Sequence, residues 1–509
     1  YEIPLRLVGS EMCIRDRRNI MYGFLRQIIA MISPFIIRTI MINTLGAEFT
    51  GLNGVFSSIM MVFNVSELGF ATAVMRSLYI PIAQKDKDKI CKLLNFFRKI
   101  YLKIGLFLII LSISALPFLH NLVKGDIPEN INIYVLFLLT SLYSIAGYFL
   151  FAYKEVLVNA CQRQDIISKI DIVIIVSQFL GQGYVLISLN NYYVFLFIQI
   201  VSVVMRSLII GYCATRYFPQ YMPEGNLNQV DKKCIYDNVK GIAIGKITST
   251  SRNGLDLVFI SYFCGLIYVT IYQNYYLVYA AVIALIGTIS SAIMAGIGNS
   301  IAVNEVKNNY QKYLKFDFYY WILRMICAAG MLLFYQPFMN AWVGEDLLLD
   351  DSGMLMFVMY FYVVSAGGIR SAYIAGTGIW QKLKKINILE LVCNVLLNFI
   401  LANYAGVKGI ISASIITVFI FSIVGNSIVL VNEYFVNKMK AFFLEFAKQT
   451  LFAIIFLGGI YFVSYQIKAE YDVLKLCNMF ICFIGIVLLS LCTNFRYRQY
   501  LIDICKVIM

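Results

Sequence analysis

The chain has 509 residues, 60% of them hydrophobic and only 14% charged, with a mean hydropathy of +0.77. A soluble domain carries about 25% charged residues, so this composition excludes a soluble protein and leaves no room for a sizeable soluble domain. The formal charge of +14 does not point to nucleic acid, because the cations lie in short loops between apolar runs, as basic cytoplasmic loops do.

Taken in chain order, the stretch 1–18 stands apart. Leu7-Val8-Gly9-Ser10-Glu11-Met12-Cys13-Ile14-Arg15-Asp16-Arg17 resembles a translated sequencing-adapter remnant, position 1 is not Met, and there is no signal-peptide pattern. It is read as a non-native segment and set outside the fold. A membrane crossing needs about 20 apolar residues. Runs of that size fall at 20–43, 52–82 (unusually long), 97–119, 131–153, 169–189 and 192–214. The polar stretch 215–240 follows, with Pro219, Pro223 and Gly225, and reads as a linker carrying an amphipathic helix. Further runs cover 241–263, 266–301, 316–336, 354–377, 386–403, 408–431, 445–467 and 475–494.

The sum is an all-α polytopic membrane protein of about fourteen transmembrane helices. Its expected divisions are an N-lobe at 19–214, a cytoplasmic linker at 215–240, a C-lobe at 241–431 and two further helices with a cytoplasmic tail at 432–509. With the N-terminus inside, the inner loops hold Lys85 to Lys103, Lys154, Arg163, Lys232, Lys233, Lys307, Lys312, Lys315, Lys382, Lys384, Lys385, Lys438, Lys440, Arg496 and Arg498. The outer loops hold only Lys124, Lys408, Lys468 and Lys475. This asymmetry places both termini in the cytoplasm. Twelve cysteines form no CxxC pair, and His120 is the single histidine, so a histidine-based metal site or general base is not expected.

The two halves share a pattern. One helix ends at Thr44-Leu45-Gly46-Ala47 and another at Phe263-Cys264-Gly265-Leu266, each followed by a tight turn, a long helix and a basic loop. Such parallel repeats are common in transporters, whose substrate sites lie between the halves. Charges inside the spans cost at least ~2.5 kcal/mol each, yet Arg26, Arg38, Glu67, Arg76, Arg206, Lys246, Arg252, Asp256, Arg324, Arg370 and Glu390 all fall there. Arg252 and Asp256, one turn apart, read either as a structural pair or as a cation held ready for an anionic ligand. Arg26, Arg76, Arg206 and Arg370 are nearer helix ends, where snorkelling accounts for them. Guanidinium grips phosphate in a bidentate fork, so Arg26, Arg38, Arg76 and Arg252 are the candidates for a diphosphate. Glu67 and Asp256 are the acidic candidates for coupling to a Na+ or H+ gradient. Asn274 and Tyr275 are the candidates for glycan contact, a role that competes with helix–helix hydrogen bonding.

Several segments resemble the bacterial polysaccharide (O-antigen-type) flippases of the multidrug/oligosaccharidyl-lipid/polysaccharide exporter superfamily. They are Gln27-Ile28-Ile29 through Ser33-Pro34-Phe35-Ile36-Ile37-Arg38-Thr39, Leu45-Gly46-Ala47-Glu48-Phe49-Thr50-Gly51-Leu52-Asn53-Gly54-Val55-Phe56, Val65-Ser66-Glu67-Leu68-Gly69-Phe70 and Leu78-Tyr79-Ile80-Pro81-Ile82-Ala83. In the second half they are Gly265-Leu266, Ile271-Tyr272-Gln273-Asn274-Tyr275-Tyr276 and Gly298-Asn299. The resemblance implies two six-helix lobes plus two C-terminal helices around a central cavity, and alternating access. It also implies a polyprenyl-diphosphate-linked glycan as substrate, cavity arginines on the diphosphate, no cofactor, and polysaccharide polymerase machinery and membrane lipids as partners. A multidrug antiporter of the same superfamily and a membrane-embedded polymerase are the alternatives. The short outer loops weigh against the polymerase.

Overall fold

The computed structural model describes residues 3–64, 70–124 and 131–466, together with 477, 479–481 and 484–485. The described chain is helical throughout. It packs as two compact units, Tyr1–Thr270 and Ile271–Met509.

In the first unit the helices are α1 (Ile3–Leu45), α2 (Ala47–Phe63), α3 (Phe70–Gln84), α4 (Lys87–Ala115), α5 (Leu119–Leu122), α6 (Ile133–Phe149), α7 (Ala152–Ala160), α8 (Gln164–Ser188), α9 (Tyr192–Tyr217), α10 (Gln229–Cys264) and the first turn of α11 (Leu266–Val303). The second unit holds the rest of α11, then α12 (Val306–Val343), α13 (Asp351–Ser365), α14 (Gly368–Thr377), α15 (Lys384–Thr417), α16 (Asn426–Glu433) and α17 (Met439–Gln466).

Asp and Asn side chains set several of the starts. Asp86 accepts from the Lys89 amide at 3.0 Å, Asn191 from Tyr193 and Val194 at 2.9 and 3.2 Å, and Asn228 from Asp231 at 2.8 Å. Each satisfies amides that a helix leaves unpaired at its first turn.

Among the described residues, nine helices are long and apolar enough to cross a membrane, or ten if α6 and α7 form one span broken by a 55° bend. Along α8, Val173, Leu180 and Ile187 are each more than 60% exposed at a spacing of seven residues. An apolar stripe of that length facing outward belongs in lipid. The structure refines several expected spans. The run 52–82 is divided between α2 and α3, with 65–69 outside the described residues, as is most of 475–494. The run expected as the fourth span is divided between α6 and α7, with a 55° bend between them. The seventh helix begins at Gln229, inside the stretch read as a linker. Between the eleventh and twelfth runs the chain turns at Gly406 (φ 55°, ψ −131°).

The repeated turn is the same turn twice. Gly46 has φ 101° and ψ 171°, and Gly265 has φ 94° and ψ 174°. Gly46 N–H donates to the carbonyls of Met41 and Ile42, and Gly265 N–H to those of Ile260 and Ser261. This backbone region is open essentially to glycine alone.

Candidate functional site

In the first unit α2, α6, α9 and α10 line an open-sided cavity of about 380 Å³. Ser57, Met60, Met61 and Asn64 line it from α2 and its C-terminal residue, Thr140, Tyr143 and Ser144 from α6, Gln199 from α9 and Thr250 from α10. Seven of these nine side chains carry a hydroxyl or an amide, and none is charged. Polar groups converge inside a membrane protein only where partners are available. Asn64 Oδ1 takes up the Tyr148 hydroxyl at 3.5 Å, and Thr140 donates to the Leu136 carbonyl of its own helix at 3.0 Å. The arrangement offers hydrogen-bonding groups beside the two Met side chains, a lining that suits a neutral, hydroxyl-rich ligand.

The wall from α10 is held tightly. Ser58 Oγ donates to the Gly254 carbonyl, and a side chain at Gly254 would meet Val62 Cγ2 at 2.8 Å. Two residues either side of this contact stand Arg252 and Asp256, 8% and 0% exposed. Both make polar or electrostatic contacts within the protein, and Arg252 is turned about 200° around α10 from the cavity-lining Thr250.

Arg26 and Arg38 are not among the residues that line this cavity. Arg38 Nη2 donates to the Thr270 carbonyl at 3.1 Å, while Thr270 Oγ1 donates to the Ala47 carbonyl at 2.6 Å, so Arg38 ties α1 to the first turn of α11. Arg26 lies twelve residues earlier on the same helix, about 18 Å along its axis, and forms an ion pair with Asp171 at 3.3 Å. The two arginines hold different partners in this structure. Glu67 lies outside the described residues, as does the side chain of Arg76.

Snorkelling does not account for Arg26 or Arg206. Arg206 donates to Glu155 through both Nη atoms at 2.9 and 2.8 Å, and its Nε donates to Asp171 at 2.7 Å. Arg26, Asp171, Arg206 and Glu155 thus form a charge-balanced network joining α1, α7, α8 and α9. Asp165, 2% exposed, is paired with Arg163 at 2.9 Å.

The second unit keeps its own buried charges. Arg370 is 2% exposed and donates to the carbonyls of Ser422 at 3.2 Å, Ile423 at 3.1 Å and Ala366 at 3.4 Å. The first two belong to a π-helical segment, Val418–Gly425, whose looser winding alters the backbone pairing of an α-helix. Arg370 therefore does not snorkel either. Ser422 Oγ donates to Glu390 at 2.7 Å, and the Arg324 guanidinium lies over the Tyr362 ring at 5.0 Å. Asp317 accepts from Gln449 at 3.1 Å. The sequence marked Arg324, Arg370 and Glu390 as intramembrane charges without bringing them together. Asn274 and Tyr275 are fully buried. The Tyr275 hydroxyl donates to Gln336 Oε1 at 2.8 Å and accepts from the Leu349 amide at 3.2 Å, which gives it a packing role in this unit.

No protein-family model matches the sequence. No curated protein matches it either. Solved structures do match. An inward-facing multidrug resistance MATE family transporter of the MOP superfamily aligns with TM-score 0.61 at 16% identity, over 79% of this chain and 93% of that one. The lipid II flippase MurJ in an inward closed conformation aligns with TM-score 0.61 at 15% identity, over 93% of this chain and 99% of that one. A MOP superfamily transporter from Pyrococcus furiosus, described with a binding pocket of reversed polarity, aligns with TM-score 0.53 at 16% identity, over 81% and 92%. The chain has the fold of the MOP-superfamily transporters. At these identities the likeness is one of fold.

Proposed function

We propose that the chain is a transporter, not an enzyme, and that it moves a polyprenyl-diphosphate-linked oligosaccharide from the inner to the outer leaflet of the cytoplasmic membrane by alternating access. The observation that carries this reading is the uncharged, hydroxyl- and amide-lined cavity of the first unit; Arg252, buried on α10 outside that lining, is the diphosphate candidate. Neutral donors and acceptors suit sugar hydroxyls, and a guanidinium suits the diphosphate. The fold shared with a lipid II flippase over nearly its whole length is consistent with a lipid-linked substrate.

A drug-cation exporter calls for a carboxylate offered to the ligand. In the first unit Glu155, Asp165 and Asp171 are each committed to arginine, and Asp256, buried on α10, is the acidic group that an exporter would use. In this reading both termini are cytoplasmic, the lobes are 19–214 and 241–431, and Asp256 and Glu67 serve any coupling to Na+ or H+.

The test uses vesicles containing the purified chain and a polyprenyl-diphosphate oligosaccharide with a fluorescent sugar. Exposure of the sugar at the opposite face is followed by a membrane-impermeant quencher. The chain is expected to speed translocation, and Gln199→Leu with Thr250→Val to slow it at least tenfold at equal incorporation. Ethidium efflux in the same vesicles, with no movement of the glycan lipid, would replace this reading by the exporter.

A further inference from the structure

The helix α4 carries a second pattern that the cavity does not use. Two neighbouring stripes run along its outward face at four-residue spacing. One is Arg98, Leu102 and Leu106, and the other is Lys99, Lys103 and Phe107, all exposed. Ile110 and Ile113 prolong the apolar part, at 59% and 55% exposed. Each stripe is cationic toward the helix N-terminus and apolar beyond it. From Lys103 to Ile113 the rise is about 15 Å, the depth of one hydrocarbon leaflet.

A fourth cation lies on α7, which packs against α4. It is Lys154, whose Nζ donates to Thr215 Oγ1 at 2.6 Å and the Gly211 carbonyl at 3.4 Å. Of the carboxylates of this region, Glu155 is taken by Arg206, Asp88 by Lys92, and Asp231 lies 3.7 Å from Lys89; Glu224 is exposed on the loop whose Asn226 accepts from Lys99 at 3.1 Å. Among the described residues no carboxylate pairs with Arg98 or Lys103. Like charges brought together from two helices repel, and an anion between them removes that penalty.

We propose that α4 and α7 form a binding site for an anionic phospholipid at the membrane surface where α4 begins. Arg98, Lys154 and Lys103 take the phosphate, and the stripe from Leu102 to Ile113 takes an acyl chain. A free phosphate would use the cations alone; the continuous apolar stripe beneath them commits the site to a lipid. This inference does not depend on what the transporter carries.

The experiment measures phosphatidylglycerol binding to the intact purified chain by native mass spectrometry, with phosphatidylcholine as the neutral comparison and glycerol 3-phosphate as a water-soluble competitor. The chain is expected to retain phosphatidylglycerol over phosphatidylcholine. Arg98→Gln is expected to weaken that binding about fivefold, and Arg98→Gln with Lys154→Gln about 25-fold. Lys307→Gln with Lys440→Gln, which removes two exposed charges from the other unit, should change it less than twofold. Arg98→Lys, which keeps the charge, should retain most of the binding and guards against misfolding. The proposal is overturned if Arg98→Gln binds as the parent does, if the Lys307 and Lys440 variant weakens binding equally, or if glycerol 3-phosphate displaces the lipid at equal concentration.

Discussion

Arg206→Met offers a direct measure of what joins the helices of the first unit. The guanidinium makes three charge-assisted bonds, at 2.7, 2.8 and 2.9 Å, to Asp171 and Glu155. Bonds to charged groups are each worth about 1.5–3 kcal/mol, but the full sum overstates the loss. The Arg206 and Glu155 side chains are 28% and 30% exposed, and Asp171, at 7%, keeps Arg26 at 3.3 Å. What remains is two carboxylates sharing one arginine, so the network goes from neutral to one net negative charge. Leaving a buried charge uncompensated costs about 3–5 kcal/mol, and the partial exposure brings the expected loss to about 3 kcal/mol. The assay is unfolding of the purified chain by titration with a denaturing detergent, read by circular dichroism. Restoring the balance with Asp171→Asn in the Arg206→Met background is expected to recover at least half of that loss, since the region is then neutral again, with one cation, Arg26, and one carboxylate, Glu155. If Arg206→Met unfolds within about 0.5 kcal/mol of the parent, this network does not hold α7 to α8 and α9 and the reasoning fails.

Three further outcomes follow from the geometry. Gly265→Ala meets no close atom, its nearest contact being the Lys124 carbonyl at 3.5 Å, so its cost is that of the positive φ alone, about 1–3 kcal/mol in the same titration. Gly254→Leu is expected to push α10 off Val62 and Ser58 and to lower the yield of monodisperse protein in size-exclusion chromatography, whereas Gly287→Ala, with nothing near its position, should leave the yield unchanged. At the start of α13, burial raises the Asp350 carboxyl, but hydrogen bonds from Lys408, Ser352 and the Gly353 amide outweigh it and hold the group below its ordinary 3.8. A depressed folded pKa means that this contribution is present above 3.8 and is lost as pH falls through the folded value. Hydrogen exchange at Gly353 and Met354 should therefore quicken below about pH 3.8, after correction for intrinsic exchange rates. In Lys408→Met the change should begin at higher pH, and an unmoved onset would refute the assignment.

The local content of the chain was readable without coordinates. Apolar runs had to become helices, because in lipid every backbone group must pair within its own segment. Asn191 and Asp86 mark helix starts by a short-range hydrogen bond that depends on neighbours in sequence alone. The matched turns at Gly46 and Gly265 were visible because only glycine adopts that φ readily, so conformation and residue type coincide.

The pairing of charges was not readable, since it depends on which helices meet. Arg26 and Asp171 are 145 residues apart, and Arg206 and Glu155 are 51 apart. With no partner in view, snorkelling was the natural reading of an arginine near a helix end. The polar cavity shows the same limit: Thr250 belongs to a visibly hydroxyl-rich helix, but Ser57, Thr140 and Gln199 stand on three other helices, and none signals the others at any fixed spacing. Composition and periodicity therefore determined an all-helical membrane protein and where most of its spans lie. Only the packing of those helices decided which arginines are neutralised, that Arg26 and Arg38 hold different partners, and where a polar-lined cavity forms, because burial and charge pairing are set by contacts between helices rather than by neighbours along the chain.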